Sequence, residues 1–258
     1  RRKYSYNLMS SDKKNLETQY QNYVYPLPIE DINKEIIETQ LIPYADPNFS
    51  WHILWPEKNY SRKTLNILVA GCGSDQAAII AKCNPIHKII GVDLSKKSIE
   101  HQNLLKNKHN INNLQLINND FRKIQFEEKF DYIISTGVIH HLLDPGSALD
   151  FFNDNLKEDG VINLMIYGDK KTHSLNQIKK IFKDINLDQN KKSINVVKNT
   201  LNGLNAKHPA KIFSNSINDI NYDAGIVDLA LHKKEKFFEI KELIDLLEKK
   251  KFKNKKFF

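Results

Sequence analysis

Hydrophobic residues along the chain form short runs that alternate with longer stretches of mixed polarity. The run from Ile67 to Ala70 is rich in β-branched residues and ends at Gly71, which is typical of a buried parallel strand. Residues 76–82 then have a helix-compatible composition, and residues 88–92 have the pattern of a second strand. Strand, glycine turn, helix and strand together make a βαβ unit.

The same alternation continues as far as residue 167. Helices are predicted at 96–107 and 147–156, strands at 114–117, 132–135 and 161–167, and a turn at 156–160. Strands that alternate with helices in this way predict an α/β fold with a doubly wound, mostly parallel sheet. Ligands of such sheets bind beyond the carboxyl ends of the strands, so we expect the strand ends to converge on one crevice.

The flanking sequence predicts additions to this core. The predicted parts are an N-terminal arm at 1–60, an α/β core at 61–168, a helical insertion at 169–232, and a last helix and strand at 233–258. Within them, helices are predicted at 11–21, 29–41, 174–185, 189–201 and 237–250, an irregular loop at 43–56, and a strand at 252–258. We expect the insertion to act as a lid over the crevice. We also expect the natural polypeptide to continue beyond Phe258.

The glycine turn after the first strand suits a ligand that approaches the backbone closely. Gly71 and Gly73 carry no Cβ, so they allow both the tight turn and the approach. Asp93 ends the second strand roughly 20 residues later, where a carboxylate accepts hydrogen bonds from ribose hydroxyls. A dinucleotide site has a third glycine where this chain has Gln76. The turn therefore favours a cofactor that contains adenosine but no phosphates.

Five ordered segments resemble motifs of the class I S-adenosylmethionine-dependent methyltransferases. They are Val-Ala-Gly71-Cys-Gly73, Gly-Val-Asp93-Leu-Ser, Asn-Asn-Asp120-Phe, Phe-Asp131-Tyr-Ile-Ile-Ser-Thr-Gly-Val-Ile-His140-His141-Leu and Leu-Lys-Glu-Asp-Gly160. The resemblance covers residues 66–167 and implies a Rossmann-like fold, S-adenosylmethionine as cofactor and S-adenosylhomocysteine as product. The chain departs from the family at Asp75, where a third glycine is usual. We expect this carboxylate to cap the following helix or to face the sulfonium.

The resemblance also implies which residues contact the cofactor. Gly71 and Gly73 would back its methionine part, Asp93 would bind the ribose hydroxyls, and Asp120 would bind the adenine amino group beside Phe121. The implied cofactor-binding set is Ala70, Gly71, Cys72, Gly73, Gln76, Asp93, Leu94, Asp120, Phe121, Ser135, Thr136 and Gly137.

Candidate catalytic groups are His140, His141 and Tyr25. Paired histidines after the fourth strand are frequent in small-molecule members of the family. In one interpretation, one ring packs on the cofactor and the other bonds to a backbone carbonyl; in the alternative, one is a general base. Methyl transfer mainly needs alignment of donor and acceptor and exclusion of water. The substrate-binding candidates are Tyr23, Tyr25, His141, Tyr167, Tyr222, Asp228 and His232.

Composition narrows the remaining possibilities. The 258 residues, 40% of them hydrophobic, can bury a sizeable core. No apolar run approaches membrane-spanning length, and no signal-peptide pattern is present, so we expect no membrane partner. Cys72 and Cys83 have neither metal-ligand nor disulfide spacing, so we expect no metal and a cytoplasmic location. The oligomeric state stays open.

Several acceptor classes lack their sequence motifs in this chain. No Asn-Pro-Pro-Tyr or Asp-Pro-Pro-Tyr follows the fourth strand, no Pro-Cys nucleophile exists, and the paired-glutamate loop of protein arginine methyltransferases is absent. Direct in-line methyl transfer to a small molecule or a protein side chain is therefore favoured. One alternative is an RNA methyltransferase, because the net charge is +8. The other is a non-catalytic cofactor-binding module.

Overall fold

The computed structural model describes residues 16–39, 46–58 and 63–253. Its centre is a five-stranded sheet with the strand order β3-β2-β1-β4-β5, and each pair of neighbouring strands is parallel. The strands are β1 (Asn66–Ala70), β2 (Lys88–Asp93), β3 (Leu114–Asn118), β4 (Phe130–Thr136) and β5 (Leu156–Met165). The prediction of a doubly wound α/β fold is confirmed.

The two middle strands explain where the crevice lies. Residues 67–70 of β1 and 130–135 of β4 are buried, because helices cover both faces of the sheet at this point. Burial on both faces is also why these strands are nearly continuous apolar runs in the sequence. The chain order reverses between β1 and β4, and the loops that follow these two strands diverge there.

Helices and short turns complete the core and the flanking parts. The helices are α1 (Ile32–Thr39), α2 (Trp51–Leu54), α3 (Gln76–Cys83), α4 (Lys96–Lys108), α5 (Pro145–Asn155), α6 (Asp169–Asp184), α7 (Lys191–Gly203), α8 (Pro209–Asn215), α9 (Asp223–Ala230) and α10 (Ile240–Lys249). Residues 16–22 are also helical, and 3-10 turns span Phe121–Lys123, Ile139–His141 and Asn218–Asn221. No helix among the described residues is long and apolar enough to cross a bilayer.

Three hydrophobic clusters hold these elements together. One joins β1 and β2 to α3, α4 and the tryptophans Trp51 and Trp55, which are nearly fully buried, as packing of the arm on the core predicts. The second lies on the opposite face of the sheet, under α5 and α10. The third lies among α6, α7, α8 and α9, and Tyr23 of the arm packs against it. The helical insertion therefore has an apolar core of its own.

Several predicted element bounds were wrong. The predicted turn at 156–160 belongs to β5, where Phe130 pairs with Leu156 but Tyr132 pairs with Val161. Glu-Asp-Gly has the composition of a turn, yet here it forms an irregularity that the ladder accommodates. The predicted loop at 43–56 contains α2, and helices α8 and α9 were missed. Most of the strand predicted at 252–258 and the start of the helix predicted at 11–21 lie outside the described residues.

Gly91 of β2 should tolerate no side chain, because the sheet and a helix meet there. A Cβ at Gly91 would lie 2.6 Å from the Ala77 Cβ and 2.9 Å from the Leu116 Cδ2. We expect Gly91→Ala to lower the free energy of unfolding in urea by about 1–3 kcal/mol through overpacking. Gly203→Ala is the matched control, since nothing lies within 4 Å of its added methyl group. Equal unfolding curves for the two variants would contradict this view of the helix–sheet contact.

Candidate functional site

A cavity of about 300 Å³ lies at the carboxyl ends of the strands. The loops after β1, β2, β3 and β4 form its floor, and residues of the arm and of the insertion form its far wall. The predicted site residues that line it are Tyr25, Gly71, Cys72, Gly73, Gln76, Asp93, Leu94, Asp120, Phe121, Thr136, Gly137, His141, Tyr167 and Asp228.

The glycine turn after β1 presents bare backbone to this cavity. Gly71 and Gly73 have positive φ angles of 75° and 57°, which side chains disfavour. A Cβ at Gly71 would also lie 2.3 Å from a methyl group of Val138. From behind, the Gln102 amide donates to the carbonyls of Cys72 at 3.1 Å and Gly73 at 2.7 Å. The turn is therefore fixed before any ligand binds.

Asp93 connects that turn to the end of β2. Its Oδ2 accepts a hydrogen bond from the Gly73 amide at 2.8 Å, and its Oδ1 accepts one from the Ser95 amide at 2.8 Å. Burial raises the pKa of the Asp93 carboxyl, and backbone N–H groups that include these two oppose the rise. Each carboxylate oxygen keeps a second lone pair for a ligand hydroxyl in the cavity.

The third strand end carries an ion pair that sequence reasoning missed. Arg122 donates to both oxygens of Asp120, from Nε at 3.0 Å and from Nη2 at 2.8 Å. The pair is formed within one 3-10 turn, and Arg122 itself lines the cavity. Phe121 stacks on Phe152 with ring centroids 5.4 Å apart. Any group that binds Asp120 must therefore share it with a guanidinium.

Two side-chain hydrogen bonds join the end of β4 to α3 and to β1. Gln76 donates from Nε2 to the Thr136 Oγ1 at 3.0 Å. Ser135 donates from Oγ to the Ala70 carbonyl at 3.1 Å. Ala70 and Ser135 do not line the cavity, so these two predicted cofactor residues support the floor from beneath.

Asp75 lies at the N-cap position of α3, but its side chain makes no capping hydrogen bond, so the predicted cap was wrong. Asp75 instead shares the hydrogen of the Ser74 hydroxyl, 3.3 Å from its Oδ2, with the Pro26 carbonyl, and it lines the cavity. Only 9% of Asp75 is exposed. This burial raises the pKa of its carboxyl to about 7.

The far wall of the cavity is aromatic and acidic. Tyr25, Tyr167 and Asp228 line it together with Tyr20. The Tyr20 hydroxyl donates to the Asp228 Oδ1 at 3.1 Å, and the Tyr25 hydroxyl donates to the Asp219 Oδ2 at 3.4 Å. Sequence reasoning missed Tyr20 and Asp219. The available signal for Tyr20 was its spacing of four from Leu16, which also lines the cavity and puts both on one helix face.

Four predicted residues lie behind this wall and do not line the cavity. The Tyr23 hydroxyl donates to the Gln189 carbonyl at 3.1 Å, and the Tyr222 hydroxyl donates to an oxygen of Asp219 at 2.8 Å. His140 and His232 flank His141, with ring centroids 4.0 and 3.9 Å from it. The structure thus brings His141 to the cavity and places the other two rings behind it.

Both histidines of the pair are neutral at pH 7. Burial lowers the pKa of His140 to about 2, with a further contribution from His141. Burial likewise lowers the pKa of His141 to about 4. The Nδ1 of His141 lies 3.1 Å from the Lys234 carbonyl, so one ring of the pair has the backbone partner that the sequence analysis expected. The three tyrosines Tyr20, Tyr25 and Tyr167 stay protonated, because burial raises their pKa values.

A family model described as a methyltransferase domain matches residues 61–203, which is more than half of the chain. The chain belongs to this methyltransferase family. S-adenosylmethionine is accordingly its cofactor, and the site fits such a group. One continuous cavity is lined by the turn with Gly71 and Gly73, by the carboxylate of Asp93, and by the strand ends that hold Asp120 and Gly137.

Among solved structures, the chain is similar to PKMT2 from Rickettsia typhi, once without a named ligand and once in complex with AdoHcy. The TM-scores are 0.62 and 0.64, both at 19% identity, and both matches cover 81% of this chain. They cover 42% and 43% of PKMT2. This methyltransferase chain therefore shares the PKMT2 fold and spans less than half the length of that protein.

The buried carboxyl of Asp75 should make stability depend on pH. Its pKa is about 7 in the folded protein against an ordinary value of 3.8, so between these values the folded state binds the extra proton. The free energy of unfolding then falls as pH rises through this window. We expect Asp75→Asn to gain stability over wild type by an amount that is small at pH 4 and reaches the order of 2–4 kcal/mol at pH 8.

The difference is measured by urea unfolding of wild type and Asp75→Asn without cofactor, at pH steps from about 4 to about 8. Asp154→Asn, a change at an exposed residue of α5, is the control and should show no such trend. A difference between Asp75→Asn and wild type that stays constant with pH would show that Asp75 ionises normally.

Proposed function

We propose that this methyltransferase transfers the methyl group of S-adenosylmethionine directly to an amine, and that the amine belongs to a lysine side chain of a protein. The observation that carries the proposal is the far wall of the cavity. There a buried carboxylate, Asp228, lies among the tyrosines Tyr20, Tyr25 and Tyr167. Such a wall suits a basic nitrogen better than a phosphate or a carboxylate.

Both charge and aromatic faces favour an amine at this wall. Asp228 lines the cavity, and Asp219 lies behind it in contact with Tyr25. Tyrosine rings attract cations through their faces, and more strongly where water is excluded. Among the described cavity-lining residues, Arg122 supplies the basic side chain, and it is engaged with Asp120 at the other end. Among the described lining residues, an incoming ammonium therefore meets no basic side chain at the acceptor end, and Lys179 behind the wall is paired with Glu235.

Under this proposal, the two ends of the cavity have separate tasks. When bound, S-adenosylmethionine would supply an electrophilic methyl group, whose bond to sulfur would break as the acceptor nitrogen forms its new bond in line. The glycine turn and Asp93 hold the cofactor on the sheet. Tyr25, Tyr167 and His141 position the acceptor. The ammonium gives its proton to water before the cavity closes, and the neutral amine then attacks with its lone pair. The arm and the insertion, acting as a lid, exclude water so that alignment supplies most of the rate.

The fold that this chain shares with PKMT2 agrees with the protein acceptor proposed here. The small-molecule alternative has the same nitrogen chemistry, so the test below includes both sources. The RNA alternative predicts basic side chains around the crevice. The described cavity lining instead includes the carboxylates of Asp75, Asp93, Asp120 and Asp228. A non-catalytic module predicts a blocked or unoccupied crevice. The cavity of about 300 Å³ and the carboxylates of Asp93 and Asp120 in its lining argue against this alternative.

Replacing Asp93 should weaken the cofactor complex. Asp93→Asn removes the charge and leaves one good acceptor oxygen for the ribose hydroxyls and for the Gly73 amide. We expect the Kd for S-adenosylmethionine to rise about 10- to 100-fold, which corresponds to the loss of a charge-assisted hydrogen bond of about 1.5–3 kcal/mol. Isothermal titration calorimetry measures it, with Asp154→Asn as the control. An unchanged Kd in Asp93→Asn would refute the proposed ribose contact.

The acceptor is tested by incubating the protein and labelled S-adenosylmethionine with three kinds of substrate. These are lysine-containing peptides, free small amines, and RNA, and mass spectrometry locates the added methyl group. We expect methyl groups on lysine nitrogen of the peptides. Methylation of free amines at equal efficiency would assign the site to small molecules, and methylated RNA would overturn the proposal.

Asp228→Asn separates acceptor binding from cofactor binding. With the carboxylate gone, we expect the KM for the amine to rise about 10-fold or more, while the Kd for S-adenosylmethionine changes by less than about twofold. Asp188→Asn, an exposed change in the same insertion, is the matched control. Parallel loss of affinity for cofactor and amine in Asp228→Asn would place this carboxylate at the cofactor instead.

A further inference from the structure

Two histidines and a glutamate converge behind the far wall of the cavity. His140 and His141 belong to the 3-10 turn after β4, and Glu235 lies in the segment between α9 and α10. One ring nitrogen from each histidine and one carboxylate oxygen lie within 4.8 Å of one another. Both histidines are buried, and His140 has no exposed surface at all. The two histidines are adjacent in the chain, and Glu235 comes more than 90 residues after them.

Several polar atoms of these three side chains have no hydrogen-bond partner within the described part of the protein. Neither ring nitrogen of His140 has a hydrogen-bond partner among the described residues, and the same holds for the buried Oε1 of Glu235. The other oxygen of Glu235 accepts a hydrogen bond from Lys179. On His141, the contact with the Lys234 carbonyl requires a proton on Nδ1, which leaves the lone pair on Nε2. Two imidazoles and one carboxylate that keep unshared lone pairs therefore lie close together in a buried place.

We propose that His140, His141 and Glu235 bind one divalent transition-metal ion, such as Zn²⁺ or Fe²⁺. Two imidazoles and a carboxylate form a donor set that both ions use in proteins. The backbone carbonyl of Lys234 on the second nitrogen of His141 is the outer contact that fixes the tautomer of a metal-bound ring. Metal–ligand bonds of about 2.0–2.2 Å would require the donors to approach one another by small side-chain rotations.

A second trio, His141, Asp228 and His232, also has donor atoms within 4.8 Å. Two of its three donor residues, His232 and Asp228, are already engaged. The His232 Nδ1 accepts a hydrogen bond from the Lys234 amide at 3.1 Å, so the proton is on Nε2, which lies 3.3 Å from the Tyr20 hydroxyl. Asp228 accepts a hydrogen bond from that same hydroxyl. The geometry therefore favours the trio that contains Glu235.

The proposed ion is a positioning element and is independent of the proposed acceptor. His141 lines the cavity, whereas His140 and Glu235 do not, so the ion lies behind the wall. Two backbone contacts already join these segments: the Lys236 amide donates to the His140 carbonyl at 2.8 Å, and the Lys234 carbonyl contacts His141. A metal ion would fasten the turn after β4 to the segment that follows the insertion and would fix the His141 ring.

The test uses the purified chain, stripped with a chelator and titrated separately with Zn²⁺, Fe²⁺ and Co²⁺. We expect binding of one ion per chain, a rise in Tm, and visible d–d absorption bands for Co²⁺ without the charge-transfer band of a thiolate. A thiolate band would place the ion on a cysteine and overturn the proposal. Failure of all three ions to bind would also overturn it, and both results come from the wild-type chain alone.

Variants then locate the ion. Glu235→Gln keeps an acceptor for Lys179, and His140→Gln keeps a polar group of similar length. We expect each to weaken Co²⁺ binding by at least about tenfold, the smaller end of the loss seen even for outer-shell changes. His52→Gln, a change at an exposed histidine of α2, is the matched control and should bind as wild type does.

The metal-free variants must first match metal-free wild type in far-ultraviolet circular dichroism. Wild-type affinity in folded Glu235→Gln would refute the assignment. Loss of Co²⁺ binding in Asp228→Asn but not in Glu235→Gln would move the ion to the second trio and refute it as well. None of these readouts depends on methyl transfer, so they stand apart from the test of the acceptor.

Discussion

The site depends on a turn of backbone that must be rigid while it faces an open cavity. The backbone N–H and C=O groups of this turn need hydrogen-bond partners even when no ligand is bound. Several of them are therefore bonded to side chains that lie behind the turn. Asp93 accepts from the Gly73 amide, and Gln102 donates to the carbonyls of Cys72 and Gly73. The Gln102 oxygen in turn accepts from the Ala78 amide, at 2.9 Å. One buried glutamine and one carboxylate thus fix the turn, the end of β2 and the start of α3 against one another.

The arm and the insertion close over this turn through a few polar contacts. The Ser74 hydroxyl donates to the Pro26 carbonyl at 3.0 Å, and the Ser95 hydroxyl donates to the Tyr20 carbonyl at 3.2 Å. Tyr23 reaches the insertion at Gln189. The parallel sheet forms the cofactor end, whereas segments distant in sequence form the acceptor end. Because of this division, the outer segments can change without disturbing the sheet.

Most of the fold and the cofactor end could be predicted because both follow from local patterns. Local sequence is enough to locate two parts of the crevice. One is the glycine that ends an apolar run, and the other is the carboxylate at the end of the next strand. At the proposed acceptor end, the predicted residues Tyr25, His141, Tyr167 and Asp228 do line the cavity. Tyr20 and Asp219 could not be predicted, because they reach Asp228 and Tyr25 only through tertiary packing. We expected no metal because the two cysteines lack metal-ligand spacing. The proposed metal site could not be predicted, because Glu235 and His140 are far apart in the sequence. Glu-Asp-Gly before Val161 has the composition of a turn, so the sequence alone predicts one. The pairing of β5 with β4, which decides the actual structure, cannot be seen in the sequence.

The two ends of the cavity should also differ in local stability. At the acceptor end, Asp228 is buried with a pKa raised to about 7, chiefly by burial, and Glu235 adds to the rise. A buried polar atom without a partner costs about 1–3 kcal/mol, and both nitrogens of His140 are in that position among the described residues. At the cofactor end, the strands are joined by continuous ladders and covered on both faces. Free energies of local opening follow such differences in packing and bonding. The acceptor end is therefore expected to open before the sheet does, so that the cofactor binds to a preformed floor and the arm and insertion close over it afterwards.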